Sequence, residues 1–167
     1  MGGAVGLRDE LLAANEASRH TYTGAGLTPA PSQHIAIVAC MDARFDPLAA
    51  LGLEVGDAHV IRNAGGLSSE DTVRSLMISQ RLLGTRKVVL VHHTDCGMAR
   101  FKDDELADAV EADTGFRPPF PLGAYTDVAE SVRAAAKLLE ESPFVVAEEV
   151  VGFVFDVETG GLISVDL

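Results

Sequence analysis

Largely apolar runs alternate along the chain with segments whose apolar residues recur at helical spacing. Four runs, at residues 35–39, 58–61, 87–91 and 150–157, have the length and composition of buried parallel strands. A glycine-containing turn at residues 158–161 follows the last run and precedes a short terminal strand. The pattern therefore predicts about four parallel strands and one antiparallel strand at an edge of the sheet.

Three segments carry the spacing of amphipathic helices. The first is short and covers residues 8–18. The second covers residues 70–83; two serines suited to an N-cap precede it and Gly84 follows it. The third covers residues 127–141 and ends before Pro143. Since strands and helices alternate, we expect an α/β fold with three layers, in which helices flank a mostly parallel central sheet.

The length and the turn-forming residues suggest how the chain is organised. A chain of 167 residues has the size of one compact unit, so we expect residues 1–167 to form a single domain. Residues 1–32 are expected to form a helix and then an extended arm, because glycines and prolines recur within residues 21–32. By composition, the arm fits contact with a partner subunit and contact with its own domain equally well.

The balance of charged residues limits the classes of molecule that the protein is expected to bind. The formal net charge is −12, with 13 basic against 25 acidic residues and no basic run, so we expect no binding to nucleic acid. No stretch approaches the roughly 18–20 consecutive apolar residues that span a membrane. The first ten residues do not resemble a secretion signal, and two cysteines do not suggest a disulfide framework. The cytoplasm is therefore the expected location.

Candidate chemistry gathers where the predicted strands end. Cys40 closes the first strand, while His93 and Cys96 follow the third at a spacing that lets one tight turn offer two ligands. Two thiolates and an imidazole suit Zn²⁺ and leave a fourth position open, as in catalytic sites. From spacing alone, the alternative is two buried cysteines and a core histidine.

An acid and a base follow Cys40 directly. Asp42 and Arg44 are two positions apart, so in an extended or turning segment their side chains can face the same side and pair beside Cys40. The alternative is a surface ion pair of little energetic value.

Taken together, these residues resemble the paired signature of β-carbonic anhydrases. The resemblance lies in residues 40–44 (Cys-Met-Asp-Ala-Arg), 60–65 (Val-Ile-Arg-Asn-Ala-Gly) and 93–98 (His-Thr-Asp-Cys-Gly-Met), and it extends from about His34 to the end of the chain. It is closest to the small branch of the family known from archaea and actinobacteria such as mycobacteria.

The resemblance implies zinc held by Cys40, His93 and Cys96, with Asp42 and Arg44 as a catalytic pair. Zinc lowers the pKa of a bound water, and the hydroxide attacks carbon dioxide to give bicarbonate. Asp42 would accept the hydrogen bond of that water, with Arg44 keeping the carboxylate ionised and fixed. The resemblance also implies a homodimer or a larger assembly with the active site at the interface, in which we expect residues 1–32 to contact a partner subunit.

In some family members the aspartate swings onto zinc as a fourth ligand, so Asp42 is a possible ligand in such a closed state. Those members often carry a second bicarbonate pocket built from Trp, Arg and Tyr. Arg62 matches the arginine, but Ile37 stands at the tryptophan position and the chain has no tryptophan. We therefore expect an open site at neutral pH.

Other residues receive weaker assignments. His92 is expected to pack rather than to bind metal, since neighbours in a strand face opposite sides. His20, His34 and His59 are possible proton shuttles without a supporting motif, and Asp95 is expected to orient the backbone or Arg44.

Two rival functions remain from the sequence. One is hydrolysis of carbonyl sulfide or carbon disulfide on the same framework. The other is a non-enzymatic zinc-binding regulatory module, which would need no Asp42–Arg44 pair.

Overall fold

One mixed sheet forms the centre of the computed structural model, which describes residues 6–167. Its strands are β1 (Ile35–Cys40), β2 (Ala58–Asn63), β3 (Lys87–His93), β4 (Glu149–Phe155) and β5 (Leu162–Val165). They lie in the order β2-β1-β3-β4-β5, with β1 to β4 parallel and β5 antiparallel to β4. The predicted fold class is confirmed.

Five helices accompany the sheet. They are α1 (Leu7–Ser18), α2 (Pro47–Ala50), α3 (Glu70–Leu83), α4 (Asp103–Thr114) and α5 (Val128–Glu141). The two predicted inner helices have the expected caps: the Ser69 hydroxyl accepts a hydrogen bond from the Thr72 amide, and the Asp127 carboxylate accepts one from the Glu130 amide. Gly84 ends α3 with φ +77°. The sequence pattern did not predict α2 and α4.

Apolar side chains cover both faces of the sheet, because successive strand residues point to opposite sides. On one face Val38 and Leu90 pack with residues of α3 and α5, such as Leu76 and Val132. On the other face the strands pack with Phe45 and with the segment around Met98. Leu138 of α5 is exposed, although its spacing along the helix would suit the buried face.

The central position of β1 and β3 determines where the polar residues meet. Ala39 of β1 faces Val91 of β3, so both strands end at the same edge of the sheet. Cys40 is the last residue of β1 and His93 is the last of β3. The loops that follow these two strands therefore face each other across that edge.

The N-terminal helix stands apart from this core. None of the twelve residues of α1 is buried against the rest of the described chain. The contact of residues 1–32 with a partner subunit stays a prediction, as does the single domain over 1–167, and residues 1–5 lie outside the described residues. Within residues 6–167, no helix is long and apolar enough to cross a membrane.

Candidate metal centre

Three buried side chains converge at this edge of the sheet. The exposed fractions of Cys40, Cys96 and His93 are 4%, 4% and 1%. Their sulfur and imidazole nitrogen atoms all lie within 4.8 Å of one another, and the two sulfurs are 3.9 Å apart. Both cysteines are free. Two sulfurs and a nitrogen at this separation can share one metal ion of the zinc type.

The hydrogen-bond partners of the His93 imidazole show which of its nitrogens carries the proton. Its Nδ1 lies 2.8 Å from the Thr94 carbonyl oxygen, which can only accept a hydrogen bond, so Nδ1 carries the hydrogen. Its Nε2 therefore has a free lone pair, yet it is buried and finds no hydrogen-bond partner among residues 6–167. A metal ligand has this arrangement, with the second nitrogen oriented by a backbone carbonyl.

The loop between the two C-terminal ligands is fixed to the neighbouring strand. The Thr94 amide donates to the Phe155 carbonyl at 2.9 Å, and the Thr94 hydroxyl accepts from the Val157 amide at 3.1 Å. Asp95 adopts φ +54°, a left-handed conformation that aspartate tolerates better than most residues. This tight turn brings Cys96 back towards His93.

Asp42 and Arg44 form a bidentate pair beside these residues. Arg44 Nε donates to Asp42 Oδ1 at 2.9 Å, Arg44 Nη2 donates to Oδ2 at 2.8 Å, and the Arg44 amide adds a third bond to Oδ1. These hydrogen bonds hold the pKa of Asp42 well below its usual range and raise the pKa of Arg44. The carboxylate oxygen Oδ2 lies 3.7 Å from His93 Nε2, so an ionised acid borders the metal-binding atoms.

A second carboxylate holds Arg44 from its other side. Arg44 Nη1 donates to Asp95 Oδ2 at 2.8 Å, and Nη2 donates to the Asp95 carbonyl at 3.0 Å. Arg100 also pairs with Asp95, and the hydrogen bonds from Arg44 and then Arg100 lower the pKa of Asp95. The arginine is thereby fixed in the orientation that engages both oxygens of Asp42, consistent with the expected role of Asp95.

The Arg62 side chain stabilises the same loop by hydrogen bonds to the backbone carbonyls of the loop. Its Nε donates to the Cys40 carbonyl at 3.0 Å and its Nη2 to the Asp42 carbonyl at 2.6 Å, while its guanidinium lies 5.2 Å from the centre of the Phe45 ring. Ile37 is fully buried in β1. The sequence identified Arg62 by its position only; its structural role is to orient the segment that carries Cys40 and Asp42.

A glycine turn supports Cys40 from behind. Gly66 has φ +70°, and a Cβ atom there would lie 3.0 Å from the Cys40 amide nitrogen. His92 Nε2 donates to the Gly66 carbonyl at 3.1 Å, and its Nδ1 accepts from the Ser131 hydroxyl at 3.0 Å. Burial lowers the pKa of His92 to about 4, so the imidazole is a neutral structural group. The expectation that His92 packs rather than joins the ligand cluster agrees with this position.

Replacing Gly66 with alanine should destabilise the fold and disturb Cys40, because a side chain would be both strained and too close to the backbone of β1. We expect a loss of about 1–3 kcal/mol in the free energy of unfolding, measured by chemical denaturation. Gly52→Ala is the matched control, since Gly52 has φ +67° but a Cβ atom there would meet no other atom within 4 Å. Equal losses in the two variants would contradict a steric role for Gly66.

A small pocket opens beside the two sulfurs. Its volume is about 180 Å³. It is lined by residues of the Cys40 loop, the glycine turn and the Cys96 loop: Cys40, Met41, Asp42, Ala64, Gly65, Cys96, Gly97 and Met98. A space of this size suits a substrate of a few atoms rather than a drug-sized ligand.

The remaining histidines lie away from the pocket within one chain. His34 and His59 are at the amino ends of β1 and β2, where His59 bonds to Ser79 and to the Pro29 carbonyl. Cys40 lies six residue steps along β1 from His34, or about 20 Å. His20 is exposed in the turn after α1. Sequence reasoning also missed Tyr125, which packs on the Cys40 and Cys96 side of the sheet.

Comparisons with known proteins agree with this geometry. A family model described as Carbonic anhydrase matches residues 35–116. Beta-carbonic anhydrase 1 of Mycobacterium tuberculosis is 54% identical over 133 residues, which cover 79% of this chain and 82% of that protein. A carbon disulfide hydrolase of Acidithiobacillus thiooxidans is 33% identical, covering 75% of this chain and 74% of that protein. A solved carbonic anhydrase from Streptococcus mutans aligns with a TM-score of 0.91 at 37% identity, covering 98% of this chain and all of that one.

Proposed function

Since the chain belongs to the β-carbonic anhydrase family, we propose that it catalyses the reversible hydration of carbon dioxide to bicarbonate and a proton at a zinc ion. One observation carries the proposal. The buried His93 Nε2 has a free lone pair and no partner within the described residues, and two cysteine sulfurs face the same point. Nitrogen and sulfur donors in this combination favour zinc.

In this proposal Cys40, His93 and Cys96 hold the ion, which leaves one position for a small molecule. Zinc, when bound, lowers the pKa of water and so supplies a nucleophile near neutral pH. The Asp42 carboxylate would accept the hydrogen bond of a water molecule at this position and orient it towards carbon dioxide. Arg44 keeps Asp42 ionised and oriented, and the apolar walls near Ala64 and Met98 accommodate the substrate.

The pairing of Asp42 supports an open site at neutral pH. Both of its oxygens accept hydrogen bonds from Arg44, and Asp95 holds Arg44 from the far side. For Asp42 to become a fourth ligand, these bonds would have to break. A zinc–oxygen distance of about 2.0–2.2 Å from Asp42 in a zinc-loaded crystal grown at neutral pH would contradict this.

Removal of the metal should abolish hydration and leave both thiols free to react. We expect chelation at neutral pH to reduce the stopped-flow rate by more than about 100-fold, with recovery on adding about one zinc per chain. Because Cys40 and Cys96 are the only cysteines and both are buried, a thiol reagent should modify them faster after chelation than in the loaded protein. Full activity after complete zinc removal would reject the proposal.

Hydrolysis of carbon disulfide or carbonyl sulfide is the second candidate. It rests on the 33% identical carbon disulfide hydrolase, which spans most of this chain. The greater identity to Beta-carbonic anhydrase 1 favours carbon dioxide. Hydrogen sulfide release from carbon disulfide, in zinc-loaded protein that does not hydrate carbon dioxide, would reverse the preference. The rival of a non-enzymatic module would be favoured by zinc binding with neither activity.

We also propose a homodimer or a larger homo-oligomer. The apolar residues of α1 are exposed in the single chain, which a second copy could cover. Analytical ultracentrifugation tests the assembly, and a monomer at every concentration would exclude it. The cytoplasmic location stays a prediction from the sequence.

A further inference from the structure

Tyr125 brings a buried hydroxyl to the metal centre. It packs against the apolar cluster that includes Cys40, Cys96 and Met98. Its hydroxyl is buried and makes no well-formed hydrogen bond with any residue between 6 and 167. A buried hydroxyl without a partner is costly, so a group that completes the site should accept its hydrogen bond.

The ring of Tyr125 is held on several sides. Its amide donates to the Met98 carbonyl at 3.3 Å, and the ring stacks on His92 with the ring centres 6.2 Å apart. The Asp103 carboxylate, at the start of α4, accepts from the two preceding amides, Gly123 at 2.9 Å and Ala124 at 2.7 Å. The segment that carries the ring is therefore anchored to α4 and to the Cys96 loop.

The cysteine sulfurs are the candidate hydrogen-bond partners of the Tyr125 hydroxyl. The Tyr125 amide is bonded to Met98, two residues beyond Cys96, and the side chain packs on the cluster that contains Cys96 and Cys40. A phenol hydroxyl carries one hydrogen and a thiolate offers only lone pairs, so towards an anionic sulfur the hydroxyl can act only as a hydrogen-bond donor. A cysteine that binds metal is a thiolate, which is an acceptor for such a donor.

We propose that Tyr125 is a positioning residue whose hydroxyl donates a hydrogen bond to the Cys96 thiolate when the metal is bound. This inference rests on the zinc centre of the proposed function. The bond would withdraw negative charge from the sulfur, which stabilises the thiolate form of Cys96 and lets the ion polarise its remaining ligand more strongly.

Cobalt substitution tests the bond directly, because thiolate-to-cobalt charge-transfer absorption reports the electron density on sulfur. In Tyr125→Phe we expect this absorption to move to lower energy than in the unmodified protein, and zinc affinity to fall about 10–100-fold. Tyr22→Phe is the matched control, since Tyr22 is exposed and is the only other tyrosine. It should change neither quantity.

The outcomes separate the two proposals. Unchanged charge-transfer absorption and metal affinity in a folded Tyr125→Phe protein would overturn the role of Tyr125 and leave the zinc centre intact. Failure of the unmodified protein to bind cobalt or zinc would overturn both. If Tyr125→Phe does not fold, the Tyr22→Phe protein provides a second test of the bond. Tyr125 is the sole tyrosine of that variant, and the chain has no tryptophan. A shift of its near-ultraviolet absorption on metal loading supports the bond, and an unchanged spectrum contradicts it.

Discussion

Replacing Cys40 with serine should lower kcat/KM for carbon dioxide hydration by more than about 100-fold and reduce bound zinc below one per chain. Changes to residues that merely orient metal ligands already cost roughly 10–100-fold, so loss of a ligand should cost more. Serine keeps the size of the side chain but offers a neutral hydroxyl in place of a thiolate.

Stopped-flow hydration with zinc quantified in the same sample measures both effects. Ala36→Ser is a matched control, because it also places a hydroxyl at a buried position of β1 but belongs to the core that packs against α3 and α5 rather than to the cluster around Cys40. It should lower stability while keeping zinc and activity per folded molecule. A Cys40→Ser protein with one zinc per chain and an unchanged rate would remove Cys40 from the metal centre.

Replacing Asp42 with asparagine should lower kcat/KM by about 10–100-fold while leaving the zinc content near one per chain. The change removes the charge that pairs with Arg44 and substitutes an amide for one acceptor oxygen. The metal-binding atoms of Cys40, His93 and Cys96 are untouched, so binding and catalysis should separate. Loss of zinc in this variant, or an unaltered rate, would contradict the proposed role of Asp42.

The pH dependence gives an independent check on the same pair. The pKa of Asp42 is lowered in the folded protein by its hydrogen bonds to Arg44. A lowered carboxyl pKa stabilises the fold above the ordinary carboxyl value, and that contribution is lost only as the pH falls through the lowered value. We expect the rate to rise through the neutral range as water at the zinc ion loses its proton. Because Asp42 is already ionised there, this rise should persist in Asp42→Asn. Asp71→Asn, which disrupts an exposed pair with Arg74, is the control and should leave the profile unchanged.

The sequence predicted the fold where burial leaves a clear pattern. The strands at 35–39 and 87–91 are buried on both faces and read as continuous apolar runs, and the structure extends them by one and two residues. Helix α4 escaped detection because it buries a single residue, Ala107, and the rest of its sequence is largely acidic. The four-residue α2 is too short to show a period. The packing of α1 could not be predicted because its apolar residues find no cover within one chain.

Some residues of the candidate site could likewise be predicted from the sequence, and others could not. Cys40, His93 and Cys96 could be grouped from the sequence because parallel strands end at a common edge, and their atoms do lie together. Tyr125 could not be found, since it sits in a loop without a motif and reaches the site only through the folding of α4 and its neighbours. The contribution of Arg62 was equally hidden, because it acts on backbone carbonyls that have no signature in the sequence.

The pairing of β1 with β3 also bears on how the protein acquires a metal. His93 and Cys96 are neighbours along the chain, so an unfolded chain already offers two donors, but Cys40 is 56 positions from Cys96. That third donor arrives only when the central strands align, and closing so long a loop is entropically unfavourable. A slip of one residue between β1 and β3 would turn Cys40 to the opposite face of the sheet. The ion would therefore bind tightly only to chains whose central strands have paired in the correct register.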